Sequence, residues 1–263
     1  MRTPISALFL LGLSLAGCSG HELLDPSTSQ GTPIGAERGG VSISPITVLT
    51  QNMYPGTNLD LVFAALATPD PNDDAPALAL AIQTLQETDF PARAALLADE
   101  IARVRPHAVA LQEVSTFHIA AAIAGQDIDL EFLPILEAAL AERGLHYVAA
   151  GAATNYTVAP LPGISYGQGD ALLIDADRVT LNSAAHHIFT LNIGDIAPGI
   201  TLRQGWSEAD ATVGGLHVLF IGTHLESNLA GISLAELRAA QAAELVGSLP
   251  AGVPVVVMGD LND

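Results

Sequence analysis

Five polar side chains stand directly after apolar, strand-like runs: Asn52, Glu113, His224, Asp260 and Asn262. Asn52 follows Ile46-Thr47-Val48-Leu49-Thr50-Gln51, and Glu113 follows Ala108-Val109-Ala110-Leu111-Gln112. His224 comes after His217-Val218-Leu219-Phe220-Ile221-Gly222-Thr223, and Asp260 and Asn262 come after Val255-Val256-Val257-Met258-Gly259. A sheet holds the backbone at such positions while the side chain projects from its rim, so a scaffold can fix reactive groups there. Carboxylates and amides offer oxygen atoms to hard cations, and an imidazole donates or transfers protons. Taken singly, each has a plainer reading, because Asn and Asp after a strand are common turn residues. Five of them at four strand ends point to convergence on one site.

The stretches that carry these residues resemble known signatures. Leu49-Thr50-Gln51-Asn52, Leu111-Gln112-Glu113-Val114, Thr223-His224-Leu225-Glu226-Ser227 and Gly259-Asp260-Leu261-Asn262 are similar, in that order, to motifs of the endonuclease/exonuclease/phosphatase superfamily. That group includes pancreatic-type deoxyribonucleases, abasic-site endonucleases, inositol-polyphosphate phosphatases and sphingomyelinases. Arg238 to Leu245, RAAQAAEL, also resembles the helix that precedes the family's Gly-Asp-x-Asn strand.

The resemblance implies an α+β fold: a four-layer α/β/β/α sandwich of two mixed sheets over residues 45–263. It implies hydrolysis of a phosphodiester or phosphomonoester with Mg²⁺ or Mn²⁺. Glu113 is then the metal ligand, with Asn52 beside it. His224 donates a hydrogen bond to the phosphoryl oxygens, Asp260 orients or deprotonates the attacking water, and Asn262 holds that water or a phosphate oxygen. Asp170 falls where many relatives carry Asn, and Arg203 is the arginine best suited to an anionic substrate; both are candidate substrate contacts. His107 stands where relatives have Asp and reads as structural. Relatives continue past Gly-Asp-x-Asn to a Ser-Asp-His-like segment, so the resemblance implies a domain incomplete at its C-terminus, with impaired activity.

Physical chemistry is consistent with those roles. Phosphoryl transfer needs charge stabilisation on the phosphoryl oxygens and an in-line nucleophile, and a hard cation bound by oxygen donors polarises the phosphate. Carboxylates gathered in a metal-free site repel one another, so metal should stabilise the fold as well as the reaction.

Composition narrows the alternatives. The formal charge is −19, and all nine basic residues are arginine. Without lysine there is no P-loop, no protein-kinase strand lysine and no Schiff base. The acidic balance argues against broad binding to duplex DNA through basic contacts, but not against a nuclease whose metal supplies positive charge locally.

At the N-terminus, Arg2 precedes the apolar run Ala7–Gly17, a pattern of secretory signals that is too short to span a membrane comfortably. Leu15-Ala16-Gly17-Cys18 resembles the lipobox of bacterial lipoproteins, and Cys18 is the only cysteine. The expected organisation is a signal peptide over 1–17, lipidated Cys18 with a Gly/Ser/Thr/Pro-rich tether over 18–44, and the domain over 45–263. The expected location is the cell envelope, at the outer membrane or extracellular surface, with a lipid anchor in the membrane. Expected partners are a phosphate-ester substrate, whether nucleic acid, lipid head group or nucleotide, and no second copy of the chain.

The elements that must position the site follow from periodicity. Helices are expected over Pro91–Val104 and Leu130–Arg143. A third opens with Ser233 and Glu236 as a capping box. Short strands are expected at Ala108–Leu111, His146–Val148 and Ala171–Ile174, and hairpin-like pairing over Leu202–Ile221. Thr68–Asp74, with its PDPNDD, reads as a solvated loop; it lacks the Gly and the closing Glu of a calcium loop. Gly163-Ile164-Ser165-Tyr166-Gly167 matches the G-x-S-x-G elbow of serine esterases, which makes an esterase using Ser165 the sharpest rival. The prolines before it and the strand after it favour instead a Gly-rich loop near the site. A second rival is a non-catalytic surface lipoprotein that keeps the fold. Asn155-Tyr156-Thr157 matches a glycosylation sequon. His186 and His187 adjoin, but alternation along a strand points them to opposite faces.

Overall fold

Strand alternation sorts the second strand between two cores. Val109 and Leu111 pack in one apolar cluster with helical residues such as Phe90, Ala94, Ile101, Phe132 and Leu136. Ala108 and Ala110, pointing the other way, share a second cluster with Leu172, Ile174, Val218, Phe220 and Met258. The strand is therefore covered on both faces, once by helices and once by a second sheet, as a period of two requires. Each fully buried Leu, Ile or Phe in these layers contributes roughly 1.5–3 kcal/mol relative to exposure.

The structure, a computed structural model, describes residues 45–262 apart from 67, 69, 198–199 and 229–231. All belong to the unit Ile43–Asp263. The signal segment, Cys18 and the tether lie outside the described residues.

In chain order the elements are β1 (Val48–Asn52), α1 (Leu59–Leu66), α2 (Pro71–Glu87), α3 (Phe90–Val104), β2 (Ala108–Ile119), α4 (Ala121–Ala124), β3 (Ile128–Glu131), α5 (Phe132–Glu142), β4 (Tyr147–Leu161), β5 (Ile164–Asp175), β6 (Val179–Ile188), β7 (Gly194–Ala197), β8 (Ile200–Leu202), β9 (Gly205–Val213), β10 (Leu216–His224), α6 (Ala235–Ser248) and β11 (Val255–Asp260). One sheet has the order β1-β2-β5-β4, with β3 also on β2; the other has the order β11-β10-β9-β6; β7 and β8 form a separate ribbon. In each large sheet one pair is parallel, β1 with β2 and β10 with β11, and the rest are antiparallel. Helices α3 and α5 cover the first sheet. Leu245 of α6 packs with Leu219, Ile221, Trp206 and Phe189 on the outer face of the second. This is the four-layer sandwich of two mixed sheets expected from the sequence.

Several local expectations need correction. PDPNDD is not a solvated loop: the Asp70 side chain accepts from the Asn72 N–H and caps α2, with Pro71 at its first position. The capping box at Ser233 and Glu236 does not form; α6 starts after Leu234 with no side-chain cap. β2, β4 and β5 extend well beyond the short apolar runs that announce them. Asn155 is buried in β4 and so is closed to glycosylation. Ser165 lies inside β5, after a two-residue hairpin turn at Pro162 and Gly163. A nucleophile elbow needs a strand-to-helix turn, so the esterase reading loses its geometric basis. Five residues along β5 separate Ser165 from Asp170, about 17 Å at the strand rise, so Ser165 is also not in a loop near the site.

The departure at His107 is structural, as expected. The Thr47 N–H donates to His107 Nδ1 at 3.1 Å and the His107 N–H donates to the Thr47 carbonyl at 2.7 Å, which ties the start of β2 to the approach of β1. Burial and the neighbouring Arg178 lower the pKa of this imidazole.

Candidate active site

β1 and β2 run parallel, with Asn52 opposite Gln112, and β10 and β11 run parallel, with His224 opposite Asp260. Parallel pairing brings the carboxyl ends of these strands to one side, which is how residues far apart in sequence share a rim. Asn52 Nδ2 donates to Glu113 Oε1 at 2.8 Å and to Asp260 Oδ2 at 3.0 Å. One amide therefore bridges carboxylates from the two sheets.

The orientation of Asn52 is fixed. Its Oδ1 accepts the Tyr54 N–H at 2.9 Å, and an N–H can only donate. The loop that carries Tyr54 is held in turn by Arg93 of α3, whose Nη1 donates to the Met53 and Tyr54 carbonyls at 2.7 and 3.2 Å. Asn52 thus shows its NH₂ to the carboxylates, and its oxygen is occupied elsewhere. In this arrangement it clamps the acidic groups, beside Glu113 as the resemblance implies.

Glu113 sits in an irregularity of β2. Register with β5 shifts between Leu111 and Val114, opposite Asp170, and Glu113 has φ of 56°. A non-glycine residue there costs roughly 1–3 kcal/mol. The bulge turns Glu113 out of the simple alternation and aims it at Asn52. Burial raises the pKa of its carboxyl; Asp260 and Asp170 add to the rise, while the Asn52 hydrogen bond and His224 oppose it.

His224 is 4% exposed, as is Asp170, and Nδ1 of the imidazole lies 3.5 Å from Asp170 Oδ1. Burial alone lowers the imidazole pKa, but Asp170, Glu113 and Asp260 outweigh it and raise the pKa overall. Asp170 is held from behind: Asn155 Nδ2 donates to its Oδ2 at 2.7 Å and to Gln204 Oε1 at 3.1 Å. Backbone contact is so close beside it that a Cβ on Gly169 would meet the Ala153 carbonyl oxygen at 1.7 Å. Asp170 is thus a buried neighbour of His224.

Asp260 Oδ1 accepts the Asn262 N–H at 3.0 Å, and Asn262 Nδ2 donates to the Leu225 carbonyl at 2.8 Å. Asn262 adopts φ of 55°, a left-handed conformation that Asn tolerates better than most residues. A cavity of about 590 Å³ opens here, lined by Thr50, Asn52, Gln112, Gly259, Asp260 and Asn262 among others.

Arg203 is exposed and its neighbour Gln204 is buried, so of the Leu-Arg-Gln-Gly stretch it is Gln204 that joins the polar cluster. Sequence reasoning also passed over Asn155, whose only signal was a sequon, and the anchoring done by α6. There Arg238 Nη1 donates to the Glu226 carbonyl at 3.3 Å, and Gln241 Oε1 accepts the Glu226 N–H at 2.9 Å. These bonds fix the chain just beyond His224, which gives the RAAQ stretch a physical role.

Glu113 and Asp260, which share the Asn52 amide, offer carboxylate oxygens, the chemistry a hard divalent cation prefers. Among the described residues, a group of three ligating side chains within 4.8 Å of one another occurs elsewhere, at exposed His118, Asp129 and Glu131. His118 lies five positions beyond Glu113 on β2, away from the rim.

Residues 82–263 match the Endonuclease/Exonuclease/phosphatase family. The chain belongs to that family. The matched stretch contains Glu113, Asp170, His224, Asp260 and Asn262 and begins after Asn52. No curated protein matches the chain. Among solved structures, an endonuclease/exonuclease/phosphatase family protein from Leptotrichia buccalis is similar with a TM-score of 0.50 at 13% identity, over 83% of this chain and 67% of that one. A Bacteroides thetaiotaomicron mannosyl-6-phosphatase is similar with a TM-score of 0.48 at 13% identity, over 83% and 66%. A humanized D. rerio TDP2 gives a TM-score of 0.48 at 15% identity, over 83% and 62%. The chain therefore spans about two thirds or less of the length of these structures.

Proposed function

We propose that the chain hydrolyses a phosphodiester or phosphomonoester with a divalent ion, Mg²⁺ or Mn²⁺, held by Glu113 together with Asp260. The observation that carries this reading is the Asn52 amide, which joins Glu113 and Asp260, themselves on different sheets, at 2.8 and 3.0 Å. When bound, the ion supplies positive charge to the phosphoryl oxygens. His224, beside Asp170, donates a hydrogen bond to a phosphoryl oxygen. Asp260, its two oxygens fixed by Asn52 and Asn262, accepts a proton from the attacking water. Asn262 Oδ1 orients that water. The polar cluster behind His224 excludes bulk water and holds the ring in one orientation.

Steady-state hydrolysis of bis(4-nitrophenyl) phosphate and 4-nitrophenyl phosphate tests this. Turnover that requires Mg²⁺ or Mn²⁺, stops with EDTA and fails in Glu113→Gln supports the reading. Metal-dependent thermal stabilisation without turnover would favour the non-catalytic binding module.

We further propose that Cys18 is lipidated and anchors the domain at the cell envelope, on the strength of the Leu15–Cys18 pattern alone. Incorporation of labelled palmitate in the wild type and its loss in Cys18→Ser tests this; label retained in the variant refutes it.

A further inference from the structure

Gln112 is 1% exposed, yet the sequence gives it no role beyond preceding Glu113. Alternation along β2 puts it on the face of Ala108 and Ala110, toward the second sheet. Its side-chain oxygen is used: Thr50 Oγ1 donates to Oε1 at 3.3 Å. Its backbone carbonyl is used too, by the Met53 N–H at 2.8 Å. Nε2 has no hydrogen-bond partner among the described residues. A buried donor left unpaired is destabilising, whereas the same amide becomes an asset if a ligand supplies the acceptor.

The surroundings indicate what that acceptor is. Gln112 lines the cavity of about 590 Å³ between Asn52 and the Asp260–Asn262 turn. Among the described residues, no arginine lines this cavity, and the chain has no lysine. Phosphate recognition in this cavity falls to neutral N–H donors, which contact oxygen without needing a counter-charge of their own. Resting on the phosphoester reading above, we propose that Gln112 Nε2 donates a hydrogen bond to a non-bridging phosphoryl oxygen of the bound substrate. Gln112 is then a substrate-contacting residue, held in its rotamer by Thr50. No bond is made or broken by it; it stabilises charge that builds on the phosphoryl group.

The test uses the full chain with two substitutions, Gln112→Met, which removes the donor at similar volume, and Gln112→Glu, which replaces NH₂ by oxygen. The Gln112 NH₂ signals in a ¹H–¹⁵N spectrum are assigned by their absence in either variant. Inorganic phosphate with Mg²⁺ is expected to shift these signals in the wild type. Gln112→Met is expected to lose about 10- to 100-fold in kcat/KM, the lower range for a single oxyanion donor, with inhibition by phosphate weakened in parallel. Thermal unfolding of the variant should stay near wild type, so a folding defect does not mimic the result. If neither variant folds, the phosphate-induced shift, with the signals assigned by direct side-chain experiments, still decides.

Wild-type turnover inhibited by phosphate, with unmoved Gln112 signals, would overturn the proposal and assign the donor to a water. Undiminished kcat/KM in Gln112→Met would overturn it as well. A shift of the Gln112 signals without any turnover supports the contact while removing the hydrolytic reading. Absence of both turnover and shift removes both.

Discussion

The His224 imidazole and the Asp170 carboxylate lie 3.5 Å apart, each 4% exposed, at the junction of the two sheets. Such a pair is costly to bury unless each member serves the other. Here Asp170 Oδ1 lies beside His224 Nδ1, and Asn155 donates to the other Asp170 oxygen. With Asp170→Asn, burial dominates and the His224 pKa falls. The alkaline limb of the kcat profile should move to lower pH, and kcat should drop on the order of 10²-fold. A profile unchanged in shape would show that His224 does not act as the protonated donor.

Asn52→Ala removes the shared donor between Glu113 and Asp260. The Mg²⁺ concentration for half-maximal activity should rise by about 10-fold or more, as for other groups that orient metal ligands. Asn52→Asp should be less stable without metal, because it adds a third carboxylate, and should recover with Mg²⁺. Metal titrations followed by activity and by Tm check both.

Stability of the metal-free protein should fall as pH rises. Glu113 and Glu226 have folded pKa values raised by burial, so the folded state loses their protons at higher pH than the unfolded state does. His224 also has a raised folded pKa, and its stabilising proton is lost as pH rises through that value. All three act with the same sign, from about pH 4.5 upward for the carboxyls and from about 6.5 upward for the imidazole. Exposed Asp99 and Asp177 and half-buried Asp210 have lowered pKa values and act only in the acid range. Tm should therefore be higher at pH 6 than at pH 8.5, and Glu113→Gln should flatten the slope.

Glycine substitutions should separate crowded from open positions. Gly169→Ala forces Cβ to within 1.7 Å of the Ala153 carbonyl, so β4 and β5 must part beside Asp170. Thermal unfolding should show a loss at or above the roughly 1–3 kcal/mol of ordinary overpacking. Gly247→Ala, in the last turn of α6 with open space around it, should stabilise by a few tenths to about 1 kcal/mol.

Ser165→Ala should leave hydrolysis unchanged, because Ser165 pairs in register with His118 at the far end of β5. Loss of activity there would reopen the esterase reading.

The layers and the rim were legible because they rest on local patterns. Apolar runs before Asn52, Glu113, His224 and Asp260 mark the strands, and the 3.6-residue spacing marks α3 and α5. The bulge at Glu113 was not legible, because it depends on how β5 passes β2 and not on the residues around Glu113 alone. The same holds for Asn155 and Gln204, which meet only when β4 folds beside the start of β9. β4 and β5 looked short because the second half of β4 carries Asn, Thr and Pro and the first half of β5 is Gly- and Gln-rich; tertiary packing, not propensity, keeps them extended. The start of α2 was available in Asp70-Pro71, a cap followed by proline, and was obscured by the acidic run.

The proposed site puts one divalent ion between Glu113 and Asp260 at the rim. Titration of Mn²⁺ into the protein, with free ion counted by electron paramagnetic resonance, tests it most directly. One site is expected, lost in Glu113→Gln, weakened in Asn52→Ala and retained in Asp129→Asn. Mn²⁺ binding that survives Glu113→Gln and disappears in Asp129→Asn would place the ion at the exposed His118 cluster and contradict the account.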